Sequence, residues 1–267
     1  MGVVNVTPDS FSDGGRYADP AAAVAHGRQL AADGAAILDV GGESTRPGAE
    51  PVDAAEELRR TEAVVRDLAA TGLPVSIDTT KASVAAGALE AGALMVNDVS
   101  GGTADPDLLQ VVADADALLV VMHMRGTPQT MVAEARYDDV VRDVGDELRM
   151  RVDAAVAAGV RADAILGDPG IGFAKTAEHN LAILAALPEL AERVEVPLLI
   201  GASRKSFLGH VLGGAPVDER DEATLATTVW SFVRGAAVVR VHDVAASFRA
   251  VALLDALDRA TSQGMAA

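Results

Sequence analysis

Eight short apolar runs, each closed by a Gly-, Pro- or charge-rich loop, leave this chain few folds to choose from. The most telling is PLLIGAS (197–203), which runs without polar alternation straight into Arg204 and Lys205. Such a run suits a parallel strand covered on both faces. The cations then arrive at its carboxyl end, the edge at which parallel α/β proteins meet ligands. The other seven runs are GVVNV (2–6), AAILDV (35–40), PVSID (74–78), ALMVND (93–98), ALLVVM (117–122), AILGDP (164–169) and AAVVRV (236–241).

Helical segments separate them. Asp19-Pro20 reads as an N-cap with proline at the first helical position, opening a helix to about Asp33. Others cover 53–70 and 81–91, begin at Asp105-Pro106, span 138–158, extend to about Glu192, start after Lys205, and close the chain to about residue 260. Strand-to-helix loops are long and polar, whereas helix-to-strand loops are mostly short. That asymmetry predicts an α/β fold, a single (β/α)8 TIM barrel over residues 1–267, with the long loops as its working face. No G-x-G-x-x-G follows the first strand, which leaves a Rossmann-type open sheet without support.

Composition removes whole classes of function. A formal charge of −17 argues against nucleic acid as a partner, because phosphate binding needs a basic face. The absence of cysteine excludes disulfides and thiolate metal sites. No stretch approaches the ~18 apolar residues of a membrane span. No charged segment precedes a long apolar run at the N-terminus, so a soluble cytoplasmic protein is expected. In so acidic a chain the three lysines, Lys81, Lys175 and Lys205, stand out, each falling shortly after a predicted strand.

Polar residues sit at the strand ends: Asn5, Asp39, Asp78, Asn97 with Asp98, His123, Asp168, Lys205, and Arg240 with His242. Singly, each has a structural explanation: Asp39 to hold Arg46, Asp98 or His242 to satisfy loop amides, Asn5 to bond a neighbouring strand. Gathered at one rim they sort by chemistry. Asp78, Asn97 and Asp168 offer acceptors and an amide to a flat heterocycle bearing N–H and amino groups. Lys205, Arg240, His242 and Arg46 offer donors to an anion, with arginine able to grip phosphate in bidentate fashion.

The stretches GVVNVTPDSFSDGG, LDVGGESTRPGA, SIDTTK, MVNDVSGG, MHMRGTP, DPGIGFAKT, GASRKSFLG and RVHDV together resemble the dihydropteroate synthase family of pterin-binding barrels, most of all its actinobacterial branch. The resemblance spans nearly the whole chain in the family's order. It implies displacement of pyrophosphate from 6-hydroxymethyl-7,8-dihydropterin pyrophosphate by 4-aminobenzoate, giving 7,8-dihydropteroate in folate biosynthesis.

Matched residue by residue, the resemblance puts Asp78, Asn97, Asp168 and Lys205 around the pterin ring. It puts Asn5, Arg46, Arg240 and His242 at the pyrophosphate, where the family uses Mg²⁺ with Asn5 as a ligand. Thr45, Arg46, Pro47, Phe173, Ser203 and Lys205 fall on the aminobenzoate side. The implied catalytic set is Asp78, Asp168, Lys205, Arg240 and His242. Asp9, Phe11 and Ser12 belong to a first mobile loop and Glu43 to a second; segments 7–16 and 41–50 are expected to close over pyrophosphate. A homodimer through the late helices is implied as well. Family members usually carry residues before the first strand, and here that strand begins at Gly2. Either the barrel floor is less covered, or the start lies at an internal methionine.

Other classes compete less well. A corrinoid-linked methyltetrahydrofolate methyltransferase shares the barrel and its Asp/Asn floor but has no pyrophosphate for Ser203-Arg204-Lys205 and Arg240-Val241-His242 to bind. A metal-dependent amidohydrolase would need His-x-His where Asn5-Val6-Thr7 stands. A non-catalytic pterin-binding paralogue should have lost loop or anion residues, and no motif here looks degraded.

Overall fold

The computed structural model describes residues 1–6, 20–46 and 48–264. Its elements alternate as the sequence predicts: β1 (Gly2–Asn5), α1 (Pro20–Ala32), β2 (Leu38–Gly41), α2 (Ala54–Ala69), β3 (Val75–Asp78), α3 (Ala82–Glu90), β4 (Met95–Asp98), α4 (Leu108–Asp114), β5 (Leu118–Met122) and α5 (Val140–Ala157). There follow β6 (Ile165–Asp168), α6 (Ala177–Ala185), α7 (Leu187–Val194), β7 (Leu199–Ile200), α8 (Ser206–Val211), α9 (Asp221–Val233), β8 (Val238–Val239) and α10 (Val244–Gly264). The helix expected to reach Glu192 is two helices. Pro188 lies in the first turn of α7, where it has no N–H to continue α6. No helix among the described residues is long and apolar enough to cross a membrane.

All strand pairs are parallel. β1 to β6 form one continuous sheet in sequence order, and β7 pairs with β8 over Leu199↔Val238 and Ile200↔Val239. Single bridges, Gly167↔Leu198 and Gly2↔Val241, join the short pair to β6 and β1, and the sheet closes into a (β/α)8 barrel. The strands are shorter than their apolar runs.

Because side chains alternate along a strand, each run supplies both walls of the barrel. Inward-facing Met95, Val120 and Leu199, with Ile37, Leu166 and Val238 packed on them, plug the interior. The alternate residues, such as Val40, Ile77, Val96, Leu119 and Ile165, are buried against the helices in the main core. Two residues beyond five of the six, on the same inward face, come Asp39 after Ile37, Asn97 after Met95, Asp168 after Leu166, Gly201 after Leu199 and Arg240 after Val238, while Met122 after Val120 stays apolar. The apolar plug thus becomes a polar cup one step toward the carboxyl ends.

Loops on that side are held by side chains from neighbouring units. The residue before α3 is Lys81, which gives that helix no side-chain cap. Asp105, from the loop between β4 and α4, accepts from the Ala82 N–H at 2.8 Å and caps α3 from outside.

Candidate active site

The centre of the cup is a charge network spanning β2, β3, β4 and β8. Arg240 donates through Nε to Asp39 Oδ2 at 2.6 Å and through Nη2 to Asp78 Oδ2 at 2.8 Å. Asn97 Nδ2 donates to the same Asp39 oxygen at 3.1 Å. Asp39 is fully buried, and its other oxygen, Oδ1, has no protein partner. A charge in such a place is tolerable only if paired, so Asp39 anchors Arg240 at the rim. Asp39 does not hold Arg46, the partner its sequence position suggested. Burial pushes the Asp78 carboxyl up to about 7, opposed by the Arg240 guanidinium and reinforced by Asp39. Arg240 is correspondingly held above its ordinary value by the two carboxylates, against the effect of burial.

Lys205 enters the cup from the turn after β7. Arg204, just before it, adopts φ 58°, a left-handed conformation that costs a non-glycine residue about 1 kcal/mol or more. The turn is held by its neighbours. Arg204 forks onto Asp221 at 2.7 and 2.9 Å, Thr224 Oγ1 accepts from the Arg204 N–H, and Arg220 donates to the Arg204 carbonyl. Arg204 therefore faces α9 while Lys205 faces the site. Lys205 Nζ donates to the Ile171 carbonyl and lies 4.7 Å from the centroid of the Phe173 ring. Burial lowers its ammonium to about 8, against the favourable charge of Asp168. A Cβ on Gly201 would stand 3.9 Å from each of Arg240 Cβ, Asp168 Oδ2 and Lys205 Nζ, so the three converge where a glycine leaves room.

Next to this group, Ser203 Oγ accepts from the His242 backbone N–H at 3.2 Å and meets His242 Nδ1 at 2.9 Å. Burial first, then the charges of Arg240, Arg204 and Arg46, lower His242 to about 4. The ring is neutral at pH 7, Nδ1 takes the Ser203 hydrogen, and Nε2–H is left as a donor toward the cationic side of the cup.

The second loop is rooted more firmly than a mobile loop suggests. Glu43 pairs with Lys81, which also binds the fully buried Glu57 at 2.5 Å, and Arg60 donates to the Gly42 carbonyl at 3.0 Å. Farther along, Gly48 N–H donates to the Pro128 carbonyl and Gln129 Nε2 to the Ala49 carbonyl. Thr45 is half-buried and Arg46 exposed between these two anchorages. Asp9, Phe11, Ser12 and Pro47 lie outside the described residues, as does the whole of segment 7–16.

Not every strand-end residue faces the cup. Asp98 points away from Asn97, as neighbours on a strand must, and accepts from the Ser100 and Gly102 N–H groups. His123 is fully buried between Glu147 on α5 and Lys175. Both serve the scaffold, and Asp98 satisfies loop amides as its position at the strand end suggested. Asn5 ends β1 half-buried, level with Gly41. Sequence reasoning missed the partners Glu57, Glu147 and Lys175. Only the rarity of lysine in this chain hinted at the last.

Comparison with known proteins fits this geometry. Residues 1–242 match the family model described as pterin binding enzyme. A dihydropteroate synthase of Mycobacterium leprae is 53% identical over 262 residues, covering 96% of this chain and 92% of the relative. A solved Xanthomonas albilineans dihydropteroate synthase with 4-aminobenzoic acid superposes with a TM-score of 0.90 at 46% identity, covering 97% of this chain and 92% of that one. The same organism's enzyme in complex with 7,8-dihydropteroate gives 0.87 at 43% identity, with 97% and 92% covered.

Proposed function

Because this chain belongs to the pterin binding enzyme family, we propose that its cup condenses 6-hydroxymethyl-7,8-dihydropterin pyrophosphate with 4-aminobenzoate to give 7,8-dihydropteroate and pyrophosphate. The observation that carries this reading is the meeting, in one cup, of a carboxylate–amide floor with a cationic wall. Asp78, Asn97 and Asp168 accept from the N–H and amino groups of the pterin, a pattern a flat aminated heterocycle answers. Lys205 lies over Phe173 beside Asp168, between the ring and the aminobenzoate. Arg46, Arg240 and the Nε2–H of His242 give donors to the pyrophosphate, and Ser203 holds His242 in the tautomer that donates.

The bond between the exocyclic carbon and pyrophosphate oxygen breaks, and the aminobenzoate nitrogen bonds to that carbon and then releases its proton. The electron-rich dihydropterin spreads positive charge from the carbon into its ring, where Asp78 and Asp168 stabilise it. An aniline nitrogen is neutral at pH 7, so no strong base is required. Thr45 and Arg46, between the two anchorages of the second loop, help keep water from the carbon, and in this reading Asp9, Phe11, Ser12 and Pro47 share that role.

For magnesium, the described residues include no cluster of three or more His, Asp or Glu able to hold an ion. Asn5 offers one neutral amide oxygen at the rim, which fits an ion that keeps its waters and takes substrate phosphate oxygens instead of a protein cage. When bound, Mg²⁺ neutralises charge on the departing pyrophosphate.

We place this activity in one barrel domain of a cytoplasmic homodimer. The dimer is supported by exposed Trp230 and Val233 on α9 and Phe248, Leu253 and Leu257 on α10, which sedimentation would test. The test of function is an assay of pteroate formation from the two substrates, with and without Mg²⁺. Binding of the pterin ester without turnover would leave a pterin-binding protein and overturn the synthase.

A further inference from the structure

The loop from β6 to α6 is fastened at almost every residue. Asp168 Oδ1 accepts from the Gly170 N–H and Asn180 Oδ1 from the Gly172 N–H, both at 2.7 Å, while Lys205 donates to the Ile171 carbonyl. Beyond it, Phe173 and Ala174 form the wall against which Lys205 packs. Ala174 has φ 49°, a left-handed conformation that persists in a non-glycine residue only where its surroundings impose it. Two side chains impose it here. Tyr137 Oη donates to the Ala174 carbonyl at 3.0 Å, and Lys175 Nζ donates to the Phe173 carbonyl at 3.0 Å.

Lys175 does not act alone. Its Nζ also donates to His123 Nδ1 at 2.9 Å, and His123 Nε2–H donates to Glu147 Oε2 at 2.9 Å. Glu147, on α5, is in turn gripped by Arg125. The Glu147 carboxylate can only accept, so it takes the Nε2–H and leaves Nδ1 as the acceptor for Lys175, which sets the direction of both hydrogen bonds. The chain Arg125–Glu147–His123–Lys175 thus runs from the outer helix layer to the backbone carbonyl of Phe173. Ligands in other proteins are oriented by such outer partners, whose loss costs function without touching the ligand.

We propose that Lys175, held by His123 and Glu147, is a positioning residue that sets the Phe173 wall and thereby the binding of 4-aminobenzoate. This rests on the synthase reading and on Phe173 facing that substrate. Steady-state kinetics of Lys175→Met, with each substrate varied in turn, test it. The KM for 4-aminobenzoate should rise about 10- to 100-fold, the loss that misplacement by about 1 Å produces. The KM for the pterin ester should rise several-fold less, since Asp78 and Asn97 are untouched and Asp168 feels Lys175 only through charge. Glu147→Gln sits on α5 at the far end of the chain, keeps its shape, and should shift the same KM in the same direction by less. If Lys175→Met does not fold, Glu147→Gln decides alone. Equal rises in both KM values, or a lowered melting temperature with the aminobenzoate KM unchanged, overturn the proposal. A wild-type protein that binds the ester but forms no pteroate overturns the synthase reading instead.

Discussion

Arg240→Met removes the one cation shared by two buried carboxylates, and its effect on stability follows from their surroundings. The guanidinium supplies hydrogen bonds of 2.6 Å to Asp39 and 2.8 Å to Asp78. Without it, Asp39, fully buried with Oδ1 already unpartnered, keeps only the Asn97 amide. Breaking a buried pair by deleting one partner costs about 3–5 kcal/mol, because the remaining charge is stranded. The sign of the pH dependence is fixed too. Asp78, already raised above the unfolded value of about 3.9 by burial, loses the cation that opposes the rise. The folded variant then binds more protons than its unfolded chain, so its stability improves as pH falls through the raised values. The deficit against wild type should be largest near pH 8 and smaller near pH 5.5. Asp39→Asn in the same chain should recover much of it by removing the stranded charge. Urea unfolding of the three proteins at both pH values, with slopes compared to check two-state behaviour, measures this. A deficit under about 1 kcal/mol at pH 8, or one equal at both pH values, would refute the stranded-charge argument.

Asp78, raised to about 7, must be ionised to accept from the pterin, and Lys205, lowered to about 8, must be protonated to donate. The kcat/KM for the pterin ester should therefore fall on both sides of a narrow optimum, and a profile flat from about pH 6 to 9 would contradict it. Arg240→Ala should weaken the pyrophosphate ester more than the unactivated hydroxymethyl pterin, by roughly 10- to 150-fold, as expected for a charge-assisted hydrogen bond; calorimetry giving equal losses would place Arg240 away from the pyrophosphate. Asp105→Ala should cost about 1 kcal/mol by uncapping α3, without changing either KM; unchanged denaturant midpoints would show that the cap contributes nothing.

Much of this was legible before any coordinates. Eight apolar runs with asymmetric loops are a barrel's signature, because each strand must be buried on both faces while one rim stays polar. Position at a strand's carboxyl end located Asp78, Asn97, Asp168, Lys205 and Arg240. What stayed hidden is what depends on facing and on distant partners. Asn97 and Asp98 are both polar, yet alternation lets only one of them face the cup. Asp39 lies within an apolar run, and nothing local says that its partner stands 201 residues away. The left-handed turn at Arg204 is invisible in sequence, since neither glycine nor asparagine marks it. Glu57 and Glu147 read as ordinary helix charges, and Lys175 as a lysine conspicuous only by its rarity, until packing joins them to the loops they hold.

Around its circumference the barrel wall is one long arc and one short insert. Six strands share consecutive rungs, whereas the β7–β8 pair meets the arc at one bridged residue pair on either side, backed toward β1 by the Val3 N–H to Val241, the Val241 N–H to Met1 and the Met1 ammonium to Val239. The seam is narrower in register than the arc, yet hydrogen-bonded on both sides. Asp39, Asp78, Asn97 and Asp168 ride on the arc, while Ser203, Lys205, Arg240 and His242 ride on the insert. The carboxylate and amide groups thus share one stretch of wall, and the hydroxyl, imidazole and cationic groups the other. The barrel must therefore close at this seam before the acidic and the cationic groups of the cup can meet.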